Sequence, residues 1–492
     1  MKKKKETNVV LATIAIFVAT FMTAIEGTIV STAMPTIIGS LNGVSMMSWV
    51  FSIYLLTSSI STPIYGKLAD RIGRKPVFLV GLVIFLIGSS LAGLSQSMLT
   101  LILSRALQGL GAGAIQPVTF TMIADIYPYE KRARVLGLNS SAWGIASIVA
   151  PLLGGYIVQH LSWHWIFFIN VPVGLITMLL VIFFFQEDRR SAKEPIDIAG
   201  STTLSVLLLA LMLFAQGLGS STKPWLNALW LVLALISGFF FVKAEKKAKD
   251  PLIPLALFKN NLFLGQNLVA ALVSGVLIGF EVYIPMWMQG ILGLPATMGG
   301  FAVTPSSVLW ILGSFLAGRL LVSQPATRIV SVSLFVITAG IGVLSFLPMG
   351  TSFAVFLLVA AFLGFGFGIA ITTTMVTAQN VVAENEIGVA SAMNTLSRTI
   401  GQTLMMSVFG IIQNTLFARG IQGHSQLKLS MLNKLINPET ATQIQSDLLP
   451  QLRTILLQAM HGVYITGVIL AVIAIIVNFW TAHRHAGNSA FK

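Results

Sequence analysis

VVLATIAIFVATFMTAIEGTIV, residues 9–30, carries one charge, and that charge is Glu26. An apolar run of about 20 residues is the length that crosses roughly 30 Å of hydrocarbon as a helix. A carboxylate inside hydrocarbon costs about 2.5–3.5 kcal/mol on insertion scales. Such a group is kept where it faces a watery or protein-lined interior and acts there. The run therefore reads as a first membrane span with a functional acid late in it.

The rest of the chain agrees. Of 492 residues, 55% are hydrophobic and 9% charged, against about 25% charged in an average soluble domain. Apolar runs place fourteen spans at about 9–33, 47–66, 77–95, 99–123, 135–158, 164–185, 198–217, 226–243, 262–288, 299–320, 327–347, 352–376, 387–415 and 456–481. The fold class expected is an all-α membrane protein. The formal net charge is +14. Its basic residues sit in alternate short loops, among them Lys67, Arg71, Arg74, Lys75, Lys131, Arg132, Arg134, Arg189, Arg190, Lys193, Lys243, Lys246, Lys247, Lys249, Lys259, Arg319 and Arg328. That is the positive-inside pattern rather than a nucleic-acid surface. It puts both termini in the cytoplasm. Lys2 to Lys5 precede an apolar run too long for a signal peptide. The chain has no cysteine, so disulfide and thiol chemistry are excluded.

The long segment 416–455 lies outside. Asn437-Pro438-Glu439 reads as a helix start, and Leu427, Leu429, Leu432 and Leu435 suggest a short amphipathic helical hairpin, a connector in preference to a lid.

Four motifs stand out. Gly66-Lys67-Leu68-Ala69-Asp70-Arg71-Ile72-Gly73-Arg74-Lys75-Pro76 joins spans 2 and 3, with glycines for a tight turn and an acid among bases. Leu316-Ala317-Gly318-Arg319 sits at the matching point of spans 10 and 11 but lacks the acid. In span 4, Arg105, Gln108, Ala112 and Gln116 fall at i, i+3, i+7 and i+11, a polar face suited to lining a cavity. Span 5 holds Gly144, Pro151, Gly154 and Gly155, which allow a bend and close packing.

The loop motif resembles the signature of the major facilitator superfamily. The Arg105-Ala106-Leu107-Gln108-Gly109 stretch and Ala150-Pro151-Leu152-Leu153-Gly154-Gly155 resemble two further motifs of its exporters, with Ala150 where glycine is usual. Glu26-Gly27-Thr28-Ile29-Val30-Ser31-Thr32-Ala33-Met34-Pro35 resembles the first-helix signature of the fourteen-helix drug:proton antiporters, which usually carry Asp at the first of these positions. Trp163-His164-Trp165-Ile166-Phe167-Phe168-Ile169-Asn170-Val171-Pro172 fits that family too, with His164 where Arg is common. The resemblance implies two six-helix halves, 1–190 and 259–492, with an inserted helix pair in 191–258. It implies a cytoplasmic latch at Gly66, Asp70, Arg71, Gly73 and Arg74, and a hinge at Gly144, Pro151, Gly154 and Gly155. It also implies a monomer in a bacterial cell membrane that exports lipophilic, cationic drugs against protons and needs no cofactor.

One other acid lies deep in a span, Glu281 in span 9. Counting rise per residue puts Glu26 about 25 Å and Glu281 about 28 Å from the inner ends of their spans, with Arg105 about 9 Å from the outer face. All three fall in the outer half, and the two acids hold near-equivalent positions in the two repeats. Asp125 at the inner end of span 4 reads as structural. The expected mechanism is competition between proton and cationic substrate for Glu26 and Glu281, with Arg105 close by. Phe280, Tyr283, Met286, Trp287 and Trp310 are candidate cavity side chains for bulky cations. The competing readings are a dedicated exporter of one metabolite or lipid and a non-transporting receptor. An ATP-driven pump lacks its Gly-x-x-x-x-Gly-Lys-Ser/Thr loop. An enzyme is disfavoured, and no metal site is expected, since His160 and His164 at i, i+4 lack a third ligand.

Overall fold

A computed structural model describes residues 7–187, 198–218, 223–248, 251, 255–383, 386–422, 424 and 426–489. Lys2 to Lys5, Arg189, Arg190, Lys193, Lys249 and the expected boundary at 190–191 lie outside the described residues, as do the side chains of Arg134 and Arg484.

Among the described residues every regular element is helical. The first six spans are α1 (Val9–Leu41), α2 (Met47–Ile72), α3 (Arg74–Gly93), α4 (Met98–Ile126), α5 (Tyr129–His160), and α6 (Trp165–Phe168) continued by α7 (Asn170–Phe184). Then come α8 (Ile198–Leu218) and α9 (Pro224–Lys247). The remaining spans are α10 (Asn261–Met286), α11 (Ala296–Leu320), α12 (Ala326–Leu344), α13 (Phe353–Asn380), α14 (Ile387–Ile421) and α17 (Leu449–Ser489). The short α15 (Leu429–Ile436) and α16 (Pro438–Ala441) lie before α17. Thirteen of the spans are long and apolar enough to cross a membrane, and α8 supplies a shorter apolar stretch, Ala199–Ala215. Each of the fourteen expected spans lies on one of these helices.

Local chemistry sets the helix ends. Asn8 accepts from the Leu11 amide at 3.2 Å and caps α1, and Ser97 and Thr100 form a capping box at α4. Asn437 accepts from the Glu439 amide at 3.0 Å, the helix start read from the sequence. Between α2 and α3 stands a single residue, Gly73, at φ +105°. A side chain there would be strained in that backbone and would also meet the Glu187 carboxylate.

The helices alternate in direction, so Lys67, Arg71, Arg74, Lys75, Lys131, Arg132, Lys246, Lys247, Arg319 and Arg328 gather at one end of the bundle, called here the basic face. The apolar cores are arranged differently at the two faces. One large cluster fills the opposite-face half, joins Ala24–Ile38 of α1 and Ala146–Val158 of α5 to α10, α12, α13, α14, α15 and α17, and runs on among the later helices as far as Val330 of α12 and Ala474 of α17. Towards the basic face, the cluster of α1–α4 and α7 is separate from the one built by α11, α12 and α13. The α8–α9 pair packs outside, with α8 against α2 and α14 and α9 against α8.

The opposite-face seal is closest along α5 and α11. A Cβ on Gly300 would collide with the Pro151 carbonyl, and one on Gly155 would stand 2.6 Å from the Thr297 Cα. Ser307 Oγ donates to the Ser147 carbonyl at 2.9 Å, and Thr297 Oγ1 donates to Gln159 Oε1 at 2.8 Å. Gly154 meets Ile29 of α1. Small residues thus let helix backbones touch where no hydrophobic force separates protein from lipid. The segment after α14 docks on the same face: Leu427, Leu432, Leu435 and Ile436 are buried, Leu429 is exposed, and Asn433 Oδ1 accepts from the Val44 amide at 3.0 Å.

Overpacking of this kind costs about 1–3 kcal/mol, so Gly300→Leu loosens the seam. In a chain without native cysteines, a Ser147→Cys, Ser307→Cys pair cross-links readily with a short bifunctional reagent. Adding Gly300→Leu lowers the cross-linked fraction several-fold. Unchanged cross-linking contradicts the tight seam.

Candidate functional site

Glu26 is fully buried, and so is Arg105 at 1% exposure. Arg105 Nη1 reaches Glu26 Oε1 at 2.5 Å and Gln108 Oε1 at 2.7 Å. The guanidinium lies over the Tyr54 ring, 4.0 Å from its centroid. The second carboxylate oxygen accepts from Asn170 Nδ2 at 2.8 Å. Asn170 also donates to Ser89 Oγ at 3.0 Å, and Ser89 donates to the Phe167 carbonyl at 2.8 Å. Helices α1, α2, α3, α4, α6 and α7 thus converge on one ion pair with every carboxylate oxygen bonded. A buried pair repays its desolvation only when its remaining hydrogen-bonding capacity is met in this way.

The structure brings Glu26, Arg105 and Gln108 together and leaves Gln116 two turns away, half-buried. The cluster is sealed inside the first six spans. What α1 presents to open space is the next residue, Gly27, which is exposed and has no heavy atom within 4 Å of a Cβ position. Thr20, Thr23, Ser31 and Met34, on the same stripe, are buried above and below it. The opening is therefore local, a space between helices at mid-depth rather than a lipid-facing side. Glu26 turns its back on it.

Glu281 is treated in the opposite way. It is surrounded by protein and yet keeps accessible surface, so it borders an internal space. Among the described residues no salt bridge or hydrogen bond engages its carboxylate. Its charged neighbour is Arg398 of α14. Arg398 is likewise enclosed and accessible, and its Nε donates to Ser274 Oγ at 3.3 Å. Ser274 and Glu281 are seven residues apart on α10 and share a face. Arg105, expected close to either acid, serves Glu26.

The aromatic candidates are mostly core. Phe280 packs on Phe367 at 6.4 Å. Tyr283 donates to Gln413 Oε1 at 3.4 Å, and Gln413 Nε2 donates to the Met286 sulfur at 3.3 Å. Trp287 lies among Phe356, His461 and Tyr464, with centroids 5.4, 5.7 and 6.0 Å away. All four are fully buried because α13, α14 and α17 close over that side of α10. Trp310 alone of the five keeps accessible surface.

The loop motif ties α2, α3, α4 and the end of α7 together at the basic face. Arg74 bonds Asp125 at 2.6 Å and lies 3.6 Å from Asp70. Glu187 accepts from the Arg74 and Lys75 amides at 2.6 and 3.0 Å, an acid on the positive end of α3. Lys75 Nζ donates to the carbonyls of Ile182 and Phe185 at the end of α7. A Cβ on Gly66 would meet open space. At the other face, His164 stacks on Trp163 at 3.8 Å and bonds Ser162 at 2.7 Å; burial lowers its proton affinity.

Asn170, Ser274, Arg398 and Glu187 join the functional clusters without having been singled out as site residues. Arg398 had a signal, a basic residue well inside an apolar span as Arg105 is. Asn170 stood within a quoted motif.

Leaving one buried charge unpaired costs about 3–5 kcal/mol. Arg105→Gln therefore lowers the thermal midpoint of the detergent-purified protein markedly, and Glu26→Gln with Arg105→Gln recovers most of it. An Arg105→Gln variant as stable as the parent contradicts a sealed pair.

The profile of the Major Facilitator Superfamily matches residues 16–406. The Multidrug transporter protein MdtP of Bacillus subtilis (strain 168) is 33% identical over 500 residues, covering 95% of this chain and 92% of its own. Multidrug resistance protein 3 of the same organism is 35% identical over 420 residues, covering 84% and 81%. A crystal structure of a bacterial homolog to the human lysosomal transporter Spinster superposes with a TM-score of 0.70 at 16% identity, covering 98% of each chain. With thirteen membrane-length apolar helices among the described residues and a match across most of its length, this chain belongs to the major facilitator superfamily and is a multi-pass membrane transporter, not an enzyme.

Proposed function

We propose that the chain exports lipophilic cations in exchange for protons, by alternating access between two six-helix halves, 1–190 and 259–492, with α8 and α9 as an added pair. The observation that carries this is Glu281: an acid deep in a span, bordering an internal space, with its carboxylate uncommitted to any close partner. A carboxylate in that setting holds either a proton or a cation, and loading one displaces the other. The relatives named for multidrug transport support drugs as the cargo. The charge distribution supports a plasma-membrane protein with both termini in the cytoplasm. In this reading the sealed α5–α11 seam is the outer gate, and the proton gradient supplies the energy without a cofactor. The protein works as a monomer.

Glu26 and Glu281 then have different duties. Glu281 is the exchange site. Glu26 with Arg105 and Asn170 fixes α1 against α4 and α7, so that the first six spans move as one body when the gate opens.

Everted vesicles loaded with a proton gradient and given ethidium test this, with a pH probe as the readout. Wild type accumulates ethidium and dissipates the gradient. Glu281→Gln loses coupled uptake, and Glu26→Gln slows it. Full coupled transport in both variants sinks the carboxylate mechanism. A wild type that answers to no cation moves the assignment to a dedicated exporter of one metabolite or lipid.

A further inference from the structure

We propose that the cleft between α12 and α17 at the basic face is a lipid site: Arg328 holds the phosphodiester of one anionic phospholipid, and Val332, Phe335 and Phe479 take the upper part of an acyl chain. The site is independent of the cargo that the protein carries.

The cleft has a volume of about 270 Å³ and runs from polar to apolar. Thr327, Arg328 and Ser331 line one end, and Val332, Phe335 and Phe479 line the other. Arg328 is the third residue of α12, so it stands at the end of the span where the basic residues gather. Phe335 is two turns further along, about 10 Å towards the middle of the bilayer. Val332, Phe335 and Phe479 are each more than half exposed. A guanidinium at headgroup depth with apolar walls beneath it matches a phospholipid, which is charged at one end and hydrocarbon below. Basic pockets between spans are where anionic headgroups bind. The rear wall is tied from three helices. Asn478 of α17 is fully buried and donates to the Thr327 carbonyl at 2.8 Å and to Ser331 Oγ at 2.9 Å. Asn478 Oδ1 accepts from Gln266 Nε2 of α10 at 3.4 Å. These bonds fix the spacing of α12 and α17 beside Arg328.

Charge selects the headgroup. Neither α12 nor α17 contains an aspartate or a glutamate. Among the described residues Arg328 has no acidic partner, and its bond runs from Nη1 to Gln324 Oε1 at 3.1 Å. Arginine carries five donors in a planar fork that fits two oxygens of a phosphate, so most of the fork is left for an anion. Arg74 at the same face differs, because it is spent on Asp125 and lies beside Asp70. A zwitterionic lipid offers the same phosphate but brings its own cation to compete with Arg328. A headgroup of net negative charge does not.

Intact-complex mass spectrometry tests this on the full chain, released into detergent from vesicles of equal parts phosphatidylglycerol and phosphatidylcholine. Wild type retains one phosphatidylglycerol several-fold over phosphatidylcholine. Arg328→Gln lowers that preference several-fold. Val332→Trp fills the cleft, keeps the charge and lowers retention as well. Arg319→Gln leaves it unchanged, since Arg319 is exposed at the same face but does not line the cleft. All three positions are exposed, so the variants keep the fold. Equal retention of the two lipids by wild type is an ordinary lipid annulus and overturns the inference. An equal loss in Arg328→Gln and Arg319→Gln puts the preference on the overall charge of the face and overturns it too. So does unchanged retention in Arg328→Gln or Val332→Trp, or a second copy of the chain found in place of the lipid.

Discussion

An ionised carboxylate cannot stand alone in hydrocarbon; it must be paired or hydrated. This chain keeps two such acids and satisfies each in a different way. Glu26 is paired, hydrogen-bonded on both oxygens and removed from any surface. Glu281 borders an internal space with its nearest cation held on a neighbouring hydroxyl. Six helices owe their mutual placement to the first acid, and the proposed exchange chemistry belongs to the second.

The two arrangements suit the two demands on an alternating transporter. Something must make each half a rigid body, and something must stay open to exchange. The ion pair at Glu26 bridges α1 to α4 and α7 near the middle of the membrane. The Arg74, Asp125, Lys75 and Glu187 contacts bind α2, α3, α4 and α7 at the basic face. Both sets of bonds lie within the first six spans. Between the two groups of helices the contacts run instead through small residues and backbone, as at Gly155 and Gly300. Such contacts are close but carry little charge, and they can part without exposing an unpaired ion.

Much of this is legible in the sequence. Span positions follow from apolar length, and the basic face from charge alternation. Glu26 and Arg105 declare themselves as lone charges in apolar runs. Even the cap at Asn437 can be read. What the sequence does not give is the direction in which a residue faces. Helix α1 is apolar all round and buried on most sides, so no stripe of polarity says that Glu26 looks towards α4 and α7 while Gly27 looks into the open space. The same holds for α10, where an aromatic is equally at home in a core or on a cavity wall, and packing by α13, α14 and α17 decides. Glu187 is hidden for another reason: its role arises from where α7 ends in space, far from the loop it caps in sequence. Arg398 is visible as an intramembrane base, but its partner comes from a helix more than a hundred residues away.

The central claim is that Glu281, and not Glu26, exchanges a proton for the transported cation. Proton release on cation binding measures this most directly, in weakly buffered detergent solution of the purified protein with a pH indicator and tetraphenylphosphonium as the cation. The account predicts release from wild type and from Glu26→Gln, and none from Glu281→Gln. Release that persists in Glu281→Gln and vanishes in Glu26→Gln contradicts it.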